Sequence, residues 1–104
     1  MGEFKVIIET TAESDLLGIL RYITETLKEP ATAKRIYFSI KEKINNLNIM
    51  PQRHPLVRDE VLATRGLRWM PAENYSVFYI VNEYEYKVNV LRILYNRREW
   101  QNIL

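Results

Sequence analysis

The chain contains no cysteine and a single histidine. Disulfides and thiolate metal sites are therefore excluded. The lone imidazole, His54, has no second histidine with which to share a zinc ion, so no metal is expected. With three glycines, neither a GxGxxG turn nor a phosphate loop is present, and no cofactor is called for. No apolar run is long enough to span a bilayer, and Met1-Gly2-Glu3-Phe4-Lys5 carries no secretory h-region. These absences point away from a membrane and towards the cytoplasm. The net charge of +2 falls short of the strongly basic balance that would indicate nucleic acid directly.

What is present reads as one globular domain spanning residues 1–104, with an apolar fraction of 47% that can form a core without covalent staples. Phe4, Val6 and Ile8 alternate, which predicts a strand. Thr10-Thr11-Ala12-Glu13 has capping-box spacing, with Thr10 as the cap, and Asp15 adds negative charge in the first turn. Ala12, Leu16, Ile19, Leu20, Ile23 and Leu27 then repeat with helical period. Pro30 suits the first position of a second helix, whose stripe is Ala33, Ile36, Tyr37, Ile40, Ile44 and Leu47, and Pro51 closes it. A link this short makes an antiparallel helical hairpin. Residues 52–63 read as loop. Arg65 to Pro71 reads as a strand that Pro71 confines to an edge. Tyr75 to Val81 and Lys87 to Leu94 are central strands joined by a turn at Asn82-Glu83-Tyr84-Glu85. The order is βααβββ, an α+β fold with a helical hairpin packed on a small, mostly antiparallel sheet.

Of the eight cations from Arg53 onward, seven are arginines. Arginine makes bidentate, stackable contacts where lysine serves as a solvated point charge, so the second half is the better candidate for binding. The densest cluster closes the last strand: Tyr95-Asn96-Arg97-Arg98, followed by Trp100. Paired guanidinium forks suit phosphate or carboxylate, and flat rings can stack on a base. The competing reading is a strand end with solvated arginines. Arg92, inside the apolar strand on the side of Val90 and Leu94, requires a partner if buried, with a helix glutamate as the simplest one. Tyr37, Tyr75 and Tyr79 fall in periodic apolar segments and belong to the core. Ser14, Ser39 and Ser76 show no base-and-acid arrangement, and Glu13 and Asp15, two apart on a helix, do not face each other.

The succession of Ala12-Glu13-Ser14-Asp15-Leu16, Ile19-Leu20-Arg21-Tyr22-Ile23, Pro30-Ala31, Leu47 to Pro51, His54-Pro55-Leu56-Val57, Gly66-Leu67-Arg68, Asn74 to Tyr79 and Ile93 to Arg98 resembles the RelE/ParE superfamily of toxins from type II toxin–antitoxin modules. The resemblance covers nearly the whole chain, and the Pro30-Ala31 and Tyr95-Asn96-Arg97-Arg98 pieces look nearer to the ParE-like branch. It implies a growth-arresting toxin of a plasmid-stabilisation type of module, neutralised by a cognate antitoxin lying across the sheet and hairpin. ParE-like members are associated with binding DNA gyrase. RelE-like members are thought to cut mRNA on the ribosome without a metal. In the first case Arg68, Tyr95, Arg97, Arg98 and Trp100 form the target-facing patch. In the second, Arg68, Tyr95, Arg98 and His54 are the catalytic candidates, or Tyr95, Arg97 and His54 in a rearranged site. Ser76 stands where RelE-like members usually carry arginine, and no tyrosine follows Arg98. A third class is a toxin-like domain that only binds an antitoxin. Homodimer formation is left open.

Overall fold

The computed structural model describes residues 2–96. Strand β1 (Lys5–Ile8) leads directly into helix α1 (Thr10–Arg21), which runs on into a π-helical turn, Tyr22–Thr26. Helix α2 (Pro30–Asn45) returns antiparallel, with Pro30 at its first turn, where the missing N–H leaves no bond unmade. A short helix α3 (Glu60–Thr64) precedes strands β2 (Arg68–Ala72), β3 (Tyr75–Asn82) and β4 (Lys87–Tyr95). The sheet order is β1-β4-β3-β2, antiparallel except for the β1–β4 pair. The α+β class, the helical hairpin and the four strands match the sequence reading. The segment read as loop from residue 52 to 63 is more structured, holding a 3-10 turn at Pro51–Arg53 and the start of α3. Asp59 starts α3: its carboxylate accepts from the Leu62 backbone N–H at 3.0 Å, a local cap that apolar periodicity does not reveal.

The capping box expected at Thr10 is not formed. Helix α1 starts one residue early, with Glu9 in extended conformation as the cap and the Glu13 N–H bonded to the Glu9 carbonyl at 2.9 Å. The junction is held instead by β4. The Thr11 hydroxyl donates to the Leu91 carbonyl at 2.8 Å, and the Asn89 side-chain amide donates to the Glu9 carboxylate. Tertiary partners have displaced the local cap.

Strand β2 lies at a sheet edge with Pro71 opposite Ser76, where a residue without an N–H is tolerated. The β2–β3 turn places Glu73 at φ 57°, in the left-handed region. Its carboxylate is fastened to α2 by the Ser39 hydroxyl (2.7 Å) and Arg35 (3.2 Å). Those bonds, the Ser39 one foremost, hold the Glu73 carboxyl below its usual range.

The main core lies between the hairpin and the sheet. Ile40, Ile44 and Leu47 of the helical layer meet Val77, Tyr79, Val88 and Val90 of the sheet, all wholly buried. The opposite sheet face carries a smaller cluster, Val57, Leu67, Phe78 and Leu94, beneath α3 and the segment leading to it.

Between these faces β4 breaks step. Phe78 pairs with Arg92 but Tyr79 pairs with Val90, so Leu91 is an extra residue, a β-bulge. The bulge corrects the simple alternation: Val90 and Ile93 join the helix-side core, while Leu94 belongs to the opposite cluster. Arg92 accordingly does not share a face with both Val90 and Leu94. Its guanidinium takes the Asp15 carboxylate of α1 in a bidentate grip (2.7 and 3.0 Å), and the same carboxylate accepts from the Ile93 N–H at 3.0 Å. The partner is thus the aspartate on α1 rather than a glutamate, close enough to cap the bulge directly. This bond raises the Arg92 pKa further.

Candidate functional site

Two places gather the polar side chains that bear on function. The first is the corner formed by residues 46–54 beside β2 and β3. This stretch forms only short 3-10 turns, with Met50 left-handed at φ 47°, so its carbonyls lack regular partners. Arg53 donates to the carbonyls of Asn46, Ile49 and Met50. The buried Tyr79 hydroxyl donates to the Pro51 carbonyl at 2.6 Å. Arg68 donates from one nitrogen to the Gln52 (3.2 Å) and His54 (2.7 Å) carbonyls. Burial pushes the Tyr79 phenol up to about 12, although Arg68 and Arg53 pull the other way. The His54 ring stands edge-on to Tyr79, with centroids 6.4 Å apart, and its pKa is lowered by burial and then by Arg53. Arg68 and His54 therefore do meet, but through the His54 main chain.

The second place is a groove of about 940 Å³ between α1, the π-helical turn, the start of α2 and the adjoining ends of β3 and β4. Ile19, Ile23, Ile36 and Ile93 supply apolar lining, and Tyr22, Tyr75 and Tyr95 line it with phenols. The Tyr75 and Tyr95 rings meet at 5.7 Å in an edge-to-face arrangement. Burial raises the Tyr75 pKa, with Tyr95 and then Tyr22 adding to it. The π turn, closed by the Leu27 N–H bonding to the Tyr22 carbonyl at 3.1 Å, puts Tyr22 at the groove, 55% exposed. Such turns recur at functional sites. Gly18 lines the same wall. A methyl group there would meet nothing within 4 Å, so the free chain has no steric need for a glycine in mid-helix, where it costs about 1 kcal/mol.

Of the candidates read from the sequence, Arg68 and His54 lie at the corner and Tyr95 lies at the groove. Arg68 pairs with Tyr79 and Tyr95 with Tyr75, four residues apart on β3, which separates them by about 13 Å along the strand. Arg97, Arg98 and Trp100 lie outside the described residues. Ser76 is buried, with its hydroxyl donating to Asn96 at 2.7 Å. Gly18, Tyr22 and Tyr75 were not singled out as site residues. The available signals were a glycine inside a strongly periodic helical segment and, four residues on, a tyrosine outside its apolar stripe. No helix among the described residues is long and apolar enough to cross a membrane.

Against known proteins, the model of the ParE toxin of the type II toxin–antitoxin system parDE matches residues 6–100. Among solved structures, the chain is similar to one from the chromosomal ParDE system of P. aeruginosa, with 21% identity, a TM-score of 0.73, and 89% of this chain and 96% of that one covered. It is also similar to one from the toxin–antitoxin complex RelBE2 of Mycobacterium tuberculosis, with 23% identity, a TM-score of 0.65, and 89% and 98% covered. Nothing matches among curated protein sequences. The two structures show the shared fold, and the match over residues 6–100 shows that this chain belongs to the family of ParE toxins of type II toxin–antitoxin systems.

Proposed function

We propose that a cognate antitoxin neutralises this chain by seating a segment in the tyrosine-lined groove, and that the free toxin arrests growth by binding DNA gyrase without bond-breaking chemistry of its own. The observation that carries the binding reading is the separation of Arg68 from Tyr95. Metal-free RNA cleavage needs a base, an acid and a phosphate-stabilising cation converging within hydrogen-bond reach. Here Arg68 is engaged with two main-chain carbonyls, and Tyr95 sits about 13 Å further along the sheet. The groove supports the antitoxin reading. Apolar lining, uncharged phenols and a bare stretch of helix at Gly18 suit an apolar segment laid closely against α1. On this reading the module is of the kind that stabilises plasmids.

The test pairs a gyrase supercoiling assay with primer extension on cellular mRNA after induction. Inhibited supercoiling with intact mRNA is the expected result. Site-specific mRNA breaks with unaffected gyrase would replace the reading with a ribonuclease. Normal growth at high soluble expression would leave only an antitoxin-binding domain. Co-purification with the product of an adjacent short reading frame, weakened by Tyr22→Ser, tests the groove separately.

A further inference from the structure

The β3–β4 turn lies at the other end of the sheet from the groove. From Tyr75 to Asn82 is seven residues of β3, about 23 Å at strand rise. The turn is tightly built. The Asn82 side-chain carbonyl accepts from the backbone N–H groups of both Tyr84 (3.1 Å) and Glu85 (3.0 Å). The Glu85 carboxylate reaches Lys87 at 3.5 Å. Tyr86 takes the left-handed conformation at φ 53° and leans its ring on Phe4, with centroids 5.2 Å apart. On this braced frame Tyr84 is 99% exposed, while Glu83 and Glu85 flank it.

A tyrosine that contributes nothing to the core, held on a turn whose backbone is already fixed, has the form of a preorganised anchor. Its ordering cost on binding is small, because only its own two side-chain torsions remain to be settled. Tyrosine is also enriched among the few residues that dominate interface energies. Glu85 is engaged by Lys87, so Glu83 and the phenol face select the partner surface: a pocket rimmed by lysine or arginine, whose cation can lie over the ring while Glu83 meets a second one. We propose that the Glu83-Tyr84-Glu85 tip is the anchor by which this toxin engages its target, inserting Tyr84 into a basic-rimmed pocket on that protein. The surface is distinct from the groove, so neutralisation and target engagement use opposite ends of the sheet. The inference rests on the reading that the chain arrests growth by binding a protein target.

The experiment measures binding of the purified chain to immobilised DNA gyrase holoenzyme, with wild type compared with Tyr84→Ser, Tyr84→Phe and Glu83→Lys, alongside growth arrest at matched soluble expression. Thermal melting of all variants should match wild type, because the replaced side chains lie outside the core. The expected result is at least a tenfold loss of affinity for Tyr84→Ser, a measurable loss for Glu83→Lys and near-wild-type binding for Tyr84→Phe. Unchanged binding of Tyr84→Ser overturns the anchor, and unchanged or tighter binding of Glu83→Lys overturns the basic-rimmed pocket. If wild type arrests growth without binding gyrase, the gyrase reading fails and the anchor is judged by the arrest: its loss in Tyr84→Ser supports the tip acting on another protein, and its persistence overturns it. A wild-type chain that neither binds nor arrests overturns both.

Discussion

At the 46–54 corner, Arg53 at the surface, the half-buried Arg68 and the buried Tyr79 give their donors to main-chain carbonyls of that irregular segment. At the groove, Tyr22, Tyr75 and Tyr95 have no hydrogen-bond partner for their hydroxyls among the described residues, and their rings line open space. The corner's arginines are thus bound up in holding irregular backbone, while the phenols of the groove are available. A guanidinium next to a segment without regular secondary structure serves that segment first, since an unpaired buried carbonyl costs about 1–3 kcal/mol.

The contrast is tested most strongly at the Asp15–Arg92 pair beside the groove. Replacing Asp15 by alanine leaves Arg92 and the Ile93 N–H without their acceptor at the bulge. Because the pair is partly exposed, the expected loss is about 2–3 kcal/mol, below that of a fully buried pair. Equilibrium urea unfolding measures it, and a loss under 1 kcal/mol would mean that the bulge and the groove wall hold without this carboxylate. Next in size is Arg68→Ala, expected to lower stability by about 2 kcal/mol, which corresponds to roughly 10 °C in a chain of this length. Per molecule of folded protein, target affinity should be retained. A fall in affinity with unchanged melting would return Arg68 to the target-facing patch.

Gly18→Ala should act in opposite senses on the two readouts. The free chain gains about 0.5–1 kcal/mol from helix propensity, while co-purification with the antitoxin weakens as a methyl group enters the groove wall. Stabilisation with undiminished antitoxin binding would remove the groove as the seat. The smallest effect belongs to His54. Its folded pKa lies below the ordinary 6.5, so the unfolded chain takes up the proton first. Stability is therefore full above about pH 6.5 and declines as pH falls from there towards the folded pKa. In His54→Gln the component of this slope that arises above the carboxylate range should vanish in pH-dependent melting curves.

Much of the fold was legible in the residues. The helical stripes from Ala12 and Ala33, the proline that confines β2 to an edge, and the near-continuous apolar run of β3 each map onto an observed element, although Leu27, read as the end of the first stripe, is exposed. The Thr10 box failed because Thr11 and Glu9 found partners on β4, about eighty positions away in sequence. The Arg92 alternation failed because a single extra residue in β4 shifts every side chain beyond it to the other face. Helix α3 escaped notice because five residues are too few to display a period.

Periodicity and turn chemistry act between neighbours, and for that reason the order of the strands and the two long helices, the helical hairpin and the helix contribution to the core were set by the chain's own local pattern. The strand order, the bulge, the engagement of Arg68 with main-chain carbonyls and the meeting of Tyr22, Tyr75 and Tyr95 were decided only by tertiary structure. Each of these depends on groups from distant segments satisfying one another's hydrogen bonds and filling one another's gaps, and no spacing along a single segment encodes that pairing.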